Sequence, residues 1–300
     1  MGHSHSPAAH VGARYRNRLL VVFVLVVVFM AAEVAAAILS GSLALLADAG
    51  HMTADAVTLG AAYVATRVAT RVDTTGTRTY GSYRAEVFAS GLAVLIMLGV
   101  AVLVAVEALG RIGAPAEVST TPMLVVGVLG LLVNALSMLI LRAGAKESLN
   151  VKGAYLEVIA DAAGSVGVIV AGALILVTGD GVWDVVVGLA IAAFVAVRAA
   201  ILGREVLAVL GQHAPRGFDA AAAVADLRAV EDVVEVHDLH AWTLTSGMNV
   251  ATAHLMVTAT ADLQTVLATA QSVLSERYEI AHATLQVESA ASRQCEEVTW

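Results

Sequence analysis

Six separate stretches of this chain are long and apolar enough to cross a lipid bilayer: residues 19–39, 43–66, 87–110, 121–141, 154–177 and 182–203. A helix needs about 20 mainly apolar residues to span the hydrocarbon core. No water reaches the backbone there, so each segment must close its own hydrogen bonds. The first two thirds of the sequence are therefore expected to form an α-helical membrane domain with six transmembrane helices, surrounded by lipid bilayer. Composition agrees: 59% of the 300 residues are hydrophobic and 14% are charged, against about 25% charged in soluble domains. Arg14, Arg16 and Arg18 precede the first stretch, as they would in a secretion signal. Its apolar run outlasts the roughly 7–15 residues of such a signal and five more spans follow, so it reads as a retained helix.

Basic residues set the expected orientation. They crowd the N-terminus, the second connection (Arg67, Arg71, Arg78, Arg84) and the fourth (Arg142, Lys146, Lys152), while the opposite side holds only Arg111. Six spans with that bias put both termini in the cytoplasm. The formal charge is +1 over residues 1–204 and −9 over 205–300, so an acidic tail follows a nearly neutral membrane part. Periodicity in the tail predicts a helix over 219–230 and strands in VVEVHDLHAWTL and NVATAHLMV, joined at a Ser246-Gly247 turn. A helix over 262–278 and a last strand in ATLQVE complete an αββαβ order. That order implies a two-layer α+β module with an antiparallel core. No basic patch is present to neutralise phosphates, so nucleic acid is not an expected partner. A single cysteine, Cys295, rules out an internal disulfide.

Ionisable groups deep in a bilayer cost a few kcal/mol each and usually face a cavity or a partner. Here they cluster. LADAGHMTADA (46–56) places His51 and Asp55 one helical turn apart, with Asp48 a turn earlier on the same face. YLEVIADAAGS (155–165) repeats the device with Glu157 and Asp161. If the two helices pack, one imidazole and three carboxylates converge, and Ala162, Ala163, Gly164, Ser165 and Gly167 permit a close approach. Three carboxylates in low dielectric cannot all stay charged, and a divalent cation can replace the protons they would hold. Competition between metal and protons for one site is the core of antiport. Asp48 reads either as part of the site or as a helix-end or supporting group. Glu33 and Asn134 read as hydrogen-bonding groups between helices, and Glu107 and Asp184 as solvated span ends.

At these motifs the chain resembles the cation diffusion facilitator family, and within it the bacterial zinc-exporting branch. SGSLALLADAGHMTADA, TYGSYRAEVFASG, NVKGAYLEVIADAAGSVGVI and VEVHDLHAWTLTSG carry the resemblance over nearly the whole chain. It implies a homodimer and a C-terminal cytosolic ferredoxin-like domain that binds metal. It also implies export of Zn²⁺, or a related divalent ion, in exchange for H⁺ across the cell membrane. The domains would be a cytosolic N-terminal tail (1–18), a transport domain (19–204) and a metal-binding and dimerisation domain (205–300). Carried over by motif, the transport ligands would be His51, Asp55, Glu157 and Asp161, with Asp48 as a neighbour. The branch usually has His where Glu157 stands, and a hard oxygen there raises Mn²⁺, Co²⁺ or Cd²⁺ as cargo. The connection RAGAKESLNVKG (142–153) holds none of the histidines that many relatives carry there; His3, His5 and His10 lie in the N-terminal tail instead. The resemblance assigns cytosolic metal to His237, His254, His282 and Glu288, with Asp238 and His240 as neighbours.

Two other classes compete. An intramembrane metalloenzyme would need a general base and an open coordination position. HMTAD lacks both the second His and the Glu of the His-Glu-x-x-His motif. A metal sensor would not need paired carboxylates inside the membrane.

Overall fold

The computed structural model describes residues 7–69, 80, 84–111, 118–143, 149–245 and 247–289. His3, His5, Arg71, Arg78, Lys146, Ser246 and Cys295, which bear on expectations above, lie outside the described residues. The chain divides into two compact units, Met1–Val64 with Ala89–Gly203 and Ala65–Phe88 with Arg204–Trp300.

Six long helices build the first unit, the end of α2, the start of α3 and the end of α6 belonging to the second: α1 (Pro7–Ser40), α2 (Leu43–Ala69), α3 (Arg84–Gly110), α4 (Thr120–Leu141), α5 (Leu149–Thr178) and α6 (Val182–Leu210). Five of them are long and apolar enough to cross a membrane; among the described residues α2 does not qualify. The outer surface is greasy, with Leu39, Val102, Leu139 and Val177 largely exposed. Exposed apolar side chains on that scale suit lipid rather than water.

Helices α1, α4 and α5 pack on one another. Helices α2, α3 and α6 share a second core through Leu43, Ala47, Val104, Ala108 and Ala192. The two sets meet where Ala36, Leu45, Met123, Val168 and Ala171 pack together. Small residues dominate these seams, which lets backbones approach closely.

Asp184 is not a solvated span end. It is fully buried and accepts hydrogen bonds from Ser42 Oγ (2.5 Å), Leu43 N (2.7 Å) and Ala44 N (3.1 Å). The first N–H groups of a helix have no partner within it. Asp184, from the start of α6, therefore caps α2 across the bundle. Arg111 adds its Nη1 at 3.6 Å from Asp184 Oδ2 and donates to the Gly41 carbonyl at 2.9 Å. Glu107 is exposed, as expected, 3.4 Å from Arg111.

The second unit carries α7 (Ala220–Arg228), β1 (Val233–Thr245), β2 (Met248–Val257), α8 (Leu263–Tyr278) and β3 (His282–Ser289). Each helix opens on an aspartate cap, Asp219 accepting from Ala221 N and Ala222 N and Asp262 from Gln264 N. The strand order is β1-β2-β3. β1 and β2 form the expected antiparallel hairpin, but β3 runs parallel to β2. The difference has a simple cause: α8 is a crossover, and a strand that returns after a helix re-enters in the same direction. Leu227, Leu255, Val257, Val266, Ala270 and Leu274 form the core between the helices and the sheet. At its edge Tyr278 and Arg277 of α8 both hydrogen-bond Asp226 of α7 and hold its carboxyl below the usual carboxylate range.

Candidate metal centres

In the first unit, α2 and α5 deliver a one-histidine, two-carboxylate cluster. Ligand atoms of His51, Asp55 and Asp161 lie within 4.8 Å of one another. His51 Nε2 stands 3.5 Å from Asp55 Oδ2 and 3.6 Å from Asp161 Oδ1. His51 and Asp161 are buried, and both those carboxylate oxygens lack a hydrogen-bond partner among the described residues. A buried polar atom left unpaired costs about 1–3 kcal/mol, more if charged. A cation placed between the three groups would remove that cost. The His51 ring also meets Phe194 of α6 edge-on at 6.3 Å.

Glu157, the fourth expected ligand, turns elsewhere. Its Oε2 accepts a hydrogen bond from Arg198 Nη2 at 2.7 Å, and Arg198 Nη1 lies 2.9 Å from His51 Nε2. Arginine is a donor only, so His51 must accept through Nε2 and carry its proton on Nδ1. Sequence reasoning passed over Arg198. The signal was present: apart from Asp184 it is the sole charged residue in the 182–203 stretch.

Asp48 is buried beside the triad against α5, where a Cβ on Gly164 would collide with its carboxylate. This contact explains why α5 needs glycine there. Glu33 of α1, expected to hydrogen-bond between helices, is buried too, and its Oε2, like Asp48 Oδ2, has no hydrogen-bond partner among the described residues. Asn134, expected to play the same interhelical role, departs from it as well. It is fully buried, yet neither its amide nitrogen nor its oxygen has a partner among the described residues, and the same holds for Ser137 Oγ one turn on.

The second unit builds another cluster on the sheet. The register sets His237 of β1 directly opposite His254 of β2, their rings 5.2 Å apart. Glu288 of β3 places Oε1 2.8 Å from His254 Nδ1, and the three residues form a group within 4.8 Å. Both ring nitrogens of His237 are buried without a partner among the described residues. Two imidazoles and a carboxylate suit a zinc-like ion, and the orphaned His237 nitrogens give such an ion a place. His282 does not join them. It pairs with Val250, four positions along β2 from His254, at the other end of the β2–β3 ladder. Asp238 and His240 pair with each other at 3.1 Å on the exposed side. A bulge between His237 and His240, with Asp238 at φ 56°, turns them away from the cluster.

Two family models match the chain: the cation efflux transmembrane domain over residues 19–210 and the cation efflux protein cytoplasmic domain over 215–290. The chain is 38% identical over 296 residues to the metal cation efflux system protein CzcD of Cupriavidus metallidurans, spanning 98% of this chain and 92% of that protein. It is 32% identical over 299 residues to a cadmium, cobalt and zinc/H⁺-K⁺ antiporter of Bacillus subtilis, spanning 97% and 93%. Among solved structures, the metal-bound C-terminal domain of the CzcD transporter from Cupriavidus metallidurans aligns at 32% identity with a TM-score of 0.23, covering 24% of this chain and 99% of that one.

Proposed function

The chain belongs to the cation efflux family, and we propose that it exports a divalent transition-metal ion, Zn²⁺ foremost, from the cytosol in exchange for protons. The family consists of multi-pass membrane transporters of metal cations, not enzymes, so the metalloenzyme reading falls. One observation carries the proposal: the buried group His51, Asp55 and Asp161 with its unpartnered oxygens. Two carboxylates there balance a divalent ion when it is bound and take up protons when it leaves.

On this reading α2 is the sixth span and His51, Asp55 and Asp161 hold the ion in transit, with Glu157 at the border of the site. Both termini are cytoplasmic, and the membrane is the bacterial plasma membrane. The tail from residue 205 is a ferredoxin-like cytosolic domain that binds metal through His237, His254 and Glu288 and supports a homodimer. Two carboxylates and one imidazole also accept Cd²⁺, Co²⁺ or Mn²⁺, so the cargo range extends beyond zinc. The B. subtilis relative is named for cadmium, cobalt and zinc, which supports such breadth.

The test is uptake into proteoliposomes with an acidic lumen, measured in parallel for Zn²⁺, Cd²⁺, Co²⁺ and Mn²⁺. Zn²⁺ uptake that collapses when the pH gradient is dissipated is the expected result. Absence of flux for every metal would refute the function.

A further inference from the structure

We propose that Arg198 is a resident cation of the transport site: in the metal-free chain its guanidinium occupies the His51 nitrogen that the metal takes on loading, and Glu157 is its anchor. The inference rests on His51, Asp55 and Asp161 being the transport site.

The geometry supplies the argument. Arg198 Nη1 lies 2.9 Å from His51 Nε2. That same nitrogen faces Asp55 Oδ2 at 3.5 Å and Asp161 Oδ1 at 3.6 Å. A metal ion among the three groups needs the Nε2 lone pair, and one lone pair cannot serve both a guanidinium and a metal. Loading therefore requires Nη1 to withdraw. A guanidinium does not give up its proton, so it leaves by moving.

Glu157 provides the place to which it moves. Nη2 is 2.7 Å from Glu157 Oε2, and this charge-assisted bond survives a small retreat from His51. The Arg198 side chain is 26% exposed and that of Glu157 47% exposed, so the pair has open space beside it. The charges also close. Arg198 and Glu157 cancel each other, which leaves Asp55 and Asp161 to match a doubly charged ion. With the metal gone, the arm returns to His51, so the site never stands without a cation and release is assisted by the returning guanidinium. A purely structural pair tying α5 to α6 would have no such effect on the ion.

The experiment is an equilibrium Zn²⁺ titration of the full chain in lipid nanodiscs, free ion being reported by a chelating dye. The binding step that disappears in Asp161→Asn belongs to the membrane site. Arg198→Met is expected to shift that step to about tenfold lower free Zn²⁺, the scale of losing one charged hydrogen-bonding competitor. Arg198→Lys keeps the charge but cannot bridge His51 and Glu157 with a planar fork, so its shift is in the same direction and smaller. A folded Arg198→Met whose step is unshifted or weaker overturns the proposal. If Arg198→Met does not fold, Arg198→Lys decides on the same criterion. A titration in which Asp161→Asn removes no step at all overturns the transport-site reading itself, and that outcome is distinct from an unshifted step.

Discussion

The chain builds two metal-ligand clusters, and they differ in what surrounds them. The membrane cluster has one imidazole and two carboxylates, and a guanidinium already rests on its only imidazole. The sheet cluster has two imidazoles and a carboxylate, with Glu288 Oε1 2.8 Å from His254 Nδ1. A site that must take up and release an ion in every cycle benefits from a competitor and from ligands that exchange metal for protons. A site that only has to hold an ion benefits from more nitrogen ligands and fixed strand positions. On the proposed function, the same ligand alphabet would serve passage in one unit and retention in the other.

The largest expected contrast comes from removing one ligand in each cluster. Asp55→Asn should lower metal uptake in proteoliposomes on the order of a hundredfold or more, since even supporting partners of metal ligands cost 10–100-fold. His254→Ala should remove one metal from the stoichiometry of the purified chain while flux persists. Loss of flux in the second variant would merge two sites that are separate on this account.

Next in size is the cap that positions α2. Asp184→Ala leaves Ser42 Oγ, Leu43 N and Ala44 N without their acceptor. The expected loss is about 3 kcal/mol of stability, read as a lower midpoint in thermal unfolding of the detergent-solubilised protein. Gly164→Ala follows. Its new Cβ runs into the Asp48 carboxylate, and overpacking of this kind costs about 1–3 kcal/mol. Uptake should fall along with stability, because Asp48 lies beside the triad; Gly172→Ala, which instead meets Leu124, should lower stability and leave the metal preference unchanged.

The smallest effect belongs to the exposed pairing of α7 and α8. Tyr278 and Arg277 hold the Asp226 carboxyl low in the folded state. Its contribution is therefore fully present above the unfolded carboxylate value of about 4 and is lost as pH falls through the lower folded value. Asp226→Asn should slightly narrow the gap in unfolding temperature between pH 6 and pH 3. Solvent screening keeps the change small.

Much of this was legible in the sequence because it depends on local pattern. Apolar run length marks the helices, and the i, i+4 spacing puts His51 above Asp55. Alternation in VVEVHDLHAWTL and NVATAHLMV marks the strands that bring His237 and His254 face to face. What was not legible depends on which distant side chains meet. Asp184 finds the start of α2 across 141 positions from Leu43. Arg198 finds Glu157 and His51 only because one face of α6 lies against α2 and α5, and a lone arginine in an apolar run does not announce its partner. Glu288 reaches His254 while His282 does not, because β3 is parallel to β2 in one particular register. A one-residue bulge takes Asp238 and His240 out of the cluster, and nothing in VHDLH marks it.

The central claim is that the ion crosses through His51, Asp55 and Asp161 against protons. The most direct measurement records Zn²⁺ entry and lumenal pH together in acid-filled proteoliposomes containing either the wild-type chain or Asp161→Asn. The account predicts that Zn²⁺ enters and the lumen becomes more alkaline with the wild-type chain, and that neither happens with Asp161→Asn. Proton-driven Zn²⁺ entry at the wild-type rate through Asp161→Asn would contradict it.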